Sequence, residues 1–178
     1  MDNFREEVVV KRHRGMDSLL YGLTWIGIVI FGLIALMYFF QLEQLPADWY
    51  YDLIFIVICG GIAFLLWRNK DKLRTEYEYS FTNGDLDIAK VLGNKKRRNL
   101  TNLKLRDIES CGPVTHQSFQ RYISMKDVKQ HRWFLNRDAQ LLYFYFTKNN
   151  VKHVVVIEPT EEMTGLIKQY SPRGVFQA

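Results

Sequence analysis

Residues 75–93 read TEYEYSFTNGDLDIAKVLG. Tyr77, Tyr79 and Phe81 alternate with Glu76, Glu78 and Ser80. A period of two is that of a strand with one buried face. Asn83-Gly84 follows, and both residues accept the positive φ of a two-residue hairpin turn. Leu86 and Ile88 then alternate against Asp85 and Asp87. The stretch predicts two antiparallel strands joined by a tight turn.

Toward the C-terminus, Gly93-Asn94 starts a second turn, followed by the basic run Lys95, Lys96, Arg97 and Arg98. Leu100, Leu103, Leu105 and Ile108 predict a third strand that continues to Cys111-Gly112-Pro113. Residues 114–138 mix aromatics (Phe119, Tyr122, Trp133, Phe134) with polar groups. They read as a loop with a short helix or turn, then a strand near Gln130–Leu135. Strands follow at Leu141–Thr147 (LLYFYFT) and Val151–Ile157 (VKHVVVI), joined by KNN, where Asn tolerates positive φ. Pro159 stops the last strand. Thr160 suits a helix N-cap, and Glu161 and Glu162 suit the positive end of the helix dipole. Met163, Leu166, Ile167 and Tyr170 then form one apolar stripe. The expected domain is a run of consecutive antiparallel strands capped by a C-terminal helix. A meander of that size curls into a barrel or two orthogonal sheets.

Toward the N-terminus the pattern changes. Leu19–Phe40 (LLYGLTWIGIVIFGLIALMYFF) has no charge, and Trp49–Trp67 (WYYDLIFIVICGGIAFLLW) has only Asp52. A bilayer core about 30 Å thick needs roughly 20 apolar residues in helix. QLEQLPADW after the first run offers no A-x-A-like cleavage site, so the run reads as an anchor, not a cleaved signal. Arg5, Lys11, Arg12 and Arg14 precede the first run; Arg68, Lys70, Lys72 and Arg74 follow the second. The loop between them carries Glu43, Asp48 and Asp52 and no Lys or Arg. Basic flanks stay cytoplasmic, so both termini are expected inside. Pro46 breaks the helix in the loop. Gly22, Gly27, Gly32, Gly60 and Gly61 are expected to let the two helices pack closely.

The predicted organisation is a cytoplasmic N-terminal segment (1–18), transmembrane helix one (19–40), an extracytoplasmic loop (41–48), transmembrane helix two (49–67), a basic juxtamembrane linker (68–74) and a cytoplasmic β domain with its C-terminal helix (75–178). The order resembles the pleckstrin-homology-like fold of bacterial membrane proteins. It resembles more closely a family of uncharacterised two-span membrane proteins from Firmicutes, a domain of unknown function. The N-terminal apolar hairpin, EYEYSFTNGDLDIAKVLGNKKRR and FTKNNVKHVVVIEPTEEM carry this likeness. It covers most of the chain except the 114–138 insert. It implies an α-helical hairpin plus a mainly-β domain, a bacterial cell-membrane location and no established activity.

Chemistry leaves little trace. Cys111 and His116 lack a second metal-ligand pair, and His13, His131 and His153 stand apart in sequence. No nucleophile elbow, P-loop or dinucleotide fingerprint is present. Asp85 and Asp87 flank a turn, and Glu161 and Glu162 begin a helix. The aromatics of the first hairpin alternate as core residues, which argues against a nucleic-acid platform. Cys59 lies in an apolar run and Cys111 in the tail, so a disulfide is not expected. The chain thus reads as non-catalytic, without metal or cofactor. Its net charge is +5. The candidate site for anionic lipid headgroups is Lys95, Lys96, Arg97 and Arg98 at a hairpin tip, with Arg68, Lys70, Lys72 and Arg74 in the linker. The expected role is a membrane-anchored binding or scaffold module for such lipid or for a protein partner. The alternative is an accessory subunit of a larger membrane transporter or enzyme complex.

Overall fold

A computed structural model describes residues 3–42 and 49–177. The expected loop residues 43–48, Pro46 among them, lie outside the described residues. Residues 13–75 form one compact unit; residues 3–12 together with 76–177 form the other.

The helical unit holds α1 (Gly15–Leu42) and α2 (Trp49–Asn69), followed by a 3-10 turn at Lys70–Arg74. Both helices are long and apolar enough to cross a membrane. Their outward side chains are exposed: Leu33, Phe40, Val57, Ile58, Leu65 and Trp67 are examples. Tyr38 stacks on Phe55 with ring centroids 4.8 Å apart. The expectation that five glycines bring the helices together holds at one position. A Cβ on Gly27 would lie 3.1 Å from Leu66 Cδ1, whereas Gly22, Gly32, Gly60 and Gly61 have nothing within 4 Å.

The β unit is two four-stranded sheets. The first has the order β1 (Phe4–Val9), β2 (Thr75–Thr82), β3 (Asp85–Leu92), β4 (Lys96–Lys104). The predicted turns form: Asn83 and Gly84 have φ of 48° and 95°, and Gly93 and Asn94 have φ of 57° and 56°. Sequence reading leaves residues 1–18 as a segment of their own; the structure adds Phe4–Val9 to the sheet. Val9 pairs with Tyr77 and Phe4 with Thr82, antiparallel. The helical unit is therefore an insertion in the connection between two neighbouring strands.

The expected third strand does not run through to Pro113. β4 ends at Lys104, and a 3-10 turn at Leu105–Asp107 leads to a separate strand, β5 (Ser110–Pro113). Leu105 N–H donates to Gly84 O at 2.9 Å, and Leu105 and Ile108 are buried in the core. The break lets the chain leave one sheet for the other.

The second sheet has the order β5, β7 (Leu142–Lys148), β8 (Val151–Ile157), β6 (Val128–Trp133). β7 and β8 form the predicted hairpin, with Asn149 and Asn150 at φ of 52° and 60°. The expectation of purely antiparallel strands fails at β6, which runs parallel to β8. β6 also ends two residues early. Leu135 and Asn136 give their N–H groups to the Glu158 carboxylate at 3.2 and 3.0 Å, not to a strand.

One core lies between the sheets. Tyr77, Tyr79, Phe81, Leu86 and Ile88 meet Leu142, Phe144, Val155 and Ile157 there. α4 (Glu161–Tyr170) closes it, with Met163 and Ile167 fully buried and Thr160 Oγ1 capping Met163 N–H at 3.3 Å. A second core lies on the outer face of the second sheet. α3 (Gln117–Ile123) covers Tyr143, Tyr145, Val154 and Val156 there. This explains why β7 and β8 read as nearly unbroken apolar runs: both faces are buried.

Candidate functional site

β2 runs away from the strand end that joins the helical unit, and β3 runs back toward it. The turn Gly93–Lys95 therefore lies at the same end of the first sheet as Val9 and Thr75. That is the end at which the chain leaves for the apolar helices and returns. The Asn83–Gly84 turn lies at the opposite end, where Tyr170 of α4 packs against it.

The four basic residues do not all lie at the hairpin tip where they are expected. Lys95 is in the turn, but Lys96, Arg97 and Arg98 already belong to β4 and alternate between its faces. Lys96 pairs across to Leu92, Arg97 to Val91 and Arg98 to Lys90. Arg97 is held by Glu78 of β2, with Nε 3.0 Å from Oε2, an ion pair without hydrogen-bond alignment. Lys95, Lys96 and Arg98 are exposed and have no acidic partner among the described residues. Lys90, across from Arg98, sits 6.0 Å from the Tyr77 ring centroid. The sheet end thus presents Lys95, Lys96 and Arg98 freely, with Lys90 beside them. Lys90 was not among the expected residues: alternation from Leu86 and Ile88 assigns it to the core-facing side of β3, and only the pairing with Arg98 brings it beside the basic run.

The linker cations are placed differently. Lys70 is buried, its Nζ 5.2 and 5.1 Å from the ring centroids of Trp25 and Trp67. The Arg74 guanidinium lies 3.9 Å from the centroid of Tyr21. Lys72 Nζ donates to Asn69 Oδ1 at 2.6 Å, and Arg68 is exposed. Two cations on three aromatic rings close the open end of the helical hairpin.

The residues weighed for catalysis do not form one constellation. Cys111 is buried in the main core with Sγ 3.6 Å from Ser171 Oγ, and burial pushes its thiol pKa up. His116 is the N-cap of α3, its Nδ1 accepting from Ser118 N–H at 3.2 Å. His131 Nε2 lies 3.0 Å from His153 Nδ1, a pairing not legible from the spacing of the two residues. Burial, then the charge of Lys129, holds His131 below its ordinary pKa. Burial, then His131, Lys129 and Lys148, does the same for His153. Among the described residues no group of three or more His, Cys, Asp or Glu is placed to hold a metal.

Two sheets closed by a C-terminal helix define a pleckstrin-homology-like domain, here with two long apolar helices inserted between its first strands. The chain belongs to the family described as Bacterial PH-like domain (DUF6106), whose model matches residues 1–177. The resemblance read from the sequence is thereby shown at family level, with a bacterial source and no phylum given. Neither the curated proteins nor the solved structures contain a match to the chain.

Proposed function

We propose that this chain is a membrane-anchored, non-catalytic binding module whose β unit engages anionic lipid headgroups through the Gly93–Lys95 end of its first sheet. α1 and α2 cross the bilayer in this reading, and both termini are cytoplasmic. The observation that carries it is the position of the basic turn: it shares one sheet end with the strands that lead to and from the apolar helices. An anionic leaflet attracts a nearby basic residue by about 1 kcal/mol each. Lys95, Lys96 and Arg98 are free to respond; Arg97 is shared with Glu78. The pairing of β1 with β2 supports one side for both termini, because strands of one sheet cannot lie across a membrane from each other. The basic flanks and Lys-free loop favour the cytoplasmic side.

The test is tryptic cleavage at Lys95–Arg98 of the full chain in nanodiscs. In phosphatidylglycerol discs cleavage should be slower than in phosphatidylcholine discs, and salt should abolish the difference, since exposed charges are screened within about 8 Å at physiological ionic strength. Equal rates in both lipids would remove the headgroup role. For orientation, a cysteine at Gln44 should react with an impermeant thiol reagent on intact cells, and one at Asn149 should not.

A further inference from the structure

We infer that the outer edge of β6, with the apolar cavity beside it, is a docking site for an extended acidic segment of a partner protein, which adds to the second sheet as a strand.

The two edges of this sheet are treated differently. β5 is covered by the chain itself: Cys111 N–H donates to Val175 O at 3.0 Å, and Gln177 N–H donates to Cys111 O at 2.7 Å. β6 is the other edge, bonded to β8 on one side only. Among the described residues, its outward backbone groups over Val128–Arg132 have no hydrogen-bond partner. A row of free N–H and C=O groups is a template for another strand.

A cavity of about 210 Å³ lies next to this edge, between α3 and the outer sheet face. Phe119, Ile123, Phe134, Val154 and Val156 line it, and Arg132 joins them from β6. Whole small-molecule sites run to roughly 300–1,000 Å³. This one matches a single large apolar side chain. Gln130 does not compete for the ligand, because its Nε2 donates to Ile123 O at 3.1 Å and seats the end of α3.

Charge selects the partner. Lys126, Lys129 and Arg132 are exposed along this edge against one acid, Asp127. Arg132 has no ion-pair partner among the described residues, and it lines the cavity. A carboxylate two positions from an apolar anchor on the incoming strand would face Arg132, because alternate residues share a face. The same charges oppose a second copy, since two β6 edges would bring lysine and arginine against lysine and arginine.

The test uses the full chain in phosphatidylcholine nanodiscs. The probe is a fluorescein-labelled pool of nonapeptides: leucine, phenylalanine or methionine at the centre, glutamate two positions to either side, threonine elsewhere. Fluorescence anisotropy should show saturable binding absent from empty discs. Methylating alternate backbone nitrogens of the peptides should weaken it at least tenfold, and so should Arg132→Glu, an exposed position whose change leaves the melting temperature in place. Replacing Lys95, Lys96, Arg97 and Arg98 with Ser should leave peptide binding unchanged, which separates this site from the basic turn. No saturable binding overturns the inference, as does binding indifferent to both backbone methylation and Arg132→Glu. Self-association of the chain that Arg132→Glu abolishes would make a second copy the occupant and overturn it too.

Discussion

Thr160 donates its backbone N–H to Glu7 Oε2 at 3.0 Å, and its hydroxyl donates to Glu7 Oε1. The two residues are 153 positions apart. Thr160 is also the N-cap of α4, so one buried carboxylate ties the first strand of the chain to the start of its last helix. Arg5 neutralises the assembly, with Nε 3.4 Å from Glu7 and a second nitrogen 2.5 Å from Glu162. Nearby, Asn136 bridges the same N-terminal segment to the carboxylate of Glu158. Its Nδ2 donates to Val10 O at 3.0 Å and to Glu158 Oε1 at 2.7 Å, and its Oδ1 accepts from Arg12 N–H at 2.8 Å.

Glu7→Ala should therefore destabilise the β unit. Hydrogen bonds to a charged group contribute about 1.5–3 kcal/mol, and a buried donor left without an acceptor adds to the loss. The melting temperature of the β unit in the full chain should fall by roughly 5–15 °C. Glu7→Gln keeps an acceptor and should recover part of that. An Ala variant that melts with wild type would show that β1 is not clasped through this residue.

The helical unit should be removable. β1 and β2 are antiparallel neighbours whose facing ends, Val9 and Tyr77, are paired, so a short turn can replace residues 13–74. The joined chain should remain in solution without detergent and give a dispersed amide spectrum. Residues 75–178 alone lack β1 and leave the β2 edge and Thr160 unpartnered. That fragment should aggregate or melt at lower temperature than the joined chain.

Stability should fall with acid through the His131–His153 pair. Both histidines are held below their ordinary pKa in the folded chain, so the unfolded chain takes up protons first. The stability present above about pH 6.5 is then lost as pH drops from that value toward the folded pKa values. In the double variant His131→Gln, His153→Gln, the melting temperature should change less between pH 7 and pH 5 than in wild type. An unchanged slope would assign the acid sensitivity to other groups.

Gly112→Ala should lift the C-terminal tail from β5. A Cβ there would stand 2.7 Å from Gln177 O and 3.0 Å from Gln177 Cβ. Both contacts are to Gln177, the residue whose N–H donates to Cys111 O, so relieving them displaces the tail at that bond. A cost of about 1–3 kcal/mol follows from such overpacking. Faster hydrogen exchange at Cys111 and Gln177, with β7 and β8 unchanged, would report it.

Several elements are legible in the residues alone because their signals are local. The length and composition of α1 and α2 mark two apolar helices. Asn83-Gly84, Gly93-Asn94 and Asn149-Asn150 mark three turns, since few other residues accept positive φ. Thr160 and the stripe from Met163 to Tyr170 mark α4. Each signal lies within a dozen or so contiguous residues, or the length of one helix. What sequence reading misses is non-local. Phe4–Val9 carries three charges and becomes a strand because β2, some 70 residues later, offers it an edge. β6 runs parallel because α3 intervenes and takes the outer face of β7 and β8. Glu158 ends β6 by accepting the N–H groups of Leu135 and Asn136. The candidate site divides the same way. Composition marks Lys95 to Arg98 as basic, but only pairing with β3 sets alternate residues on opposite faces and gives Arg97 to Glu78. Periodicity and turn chemistry belong to neighbouring residues and are decided before the chain folds. Which backbone edge a segment meets, and which charge ends beside which, depends on segments far apart in sequence, so only the tertiary structure decides it.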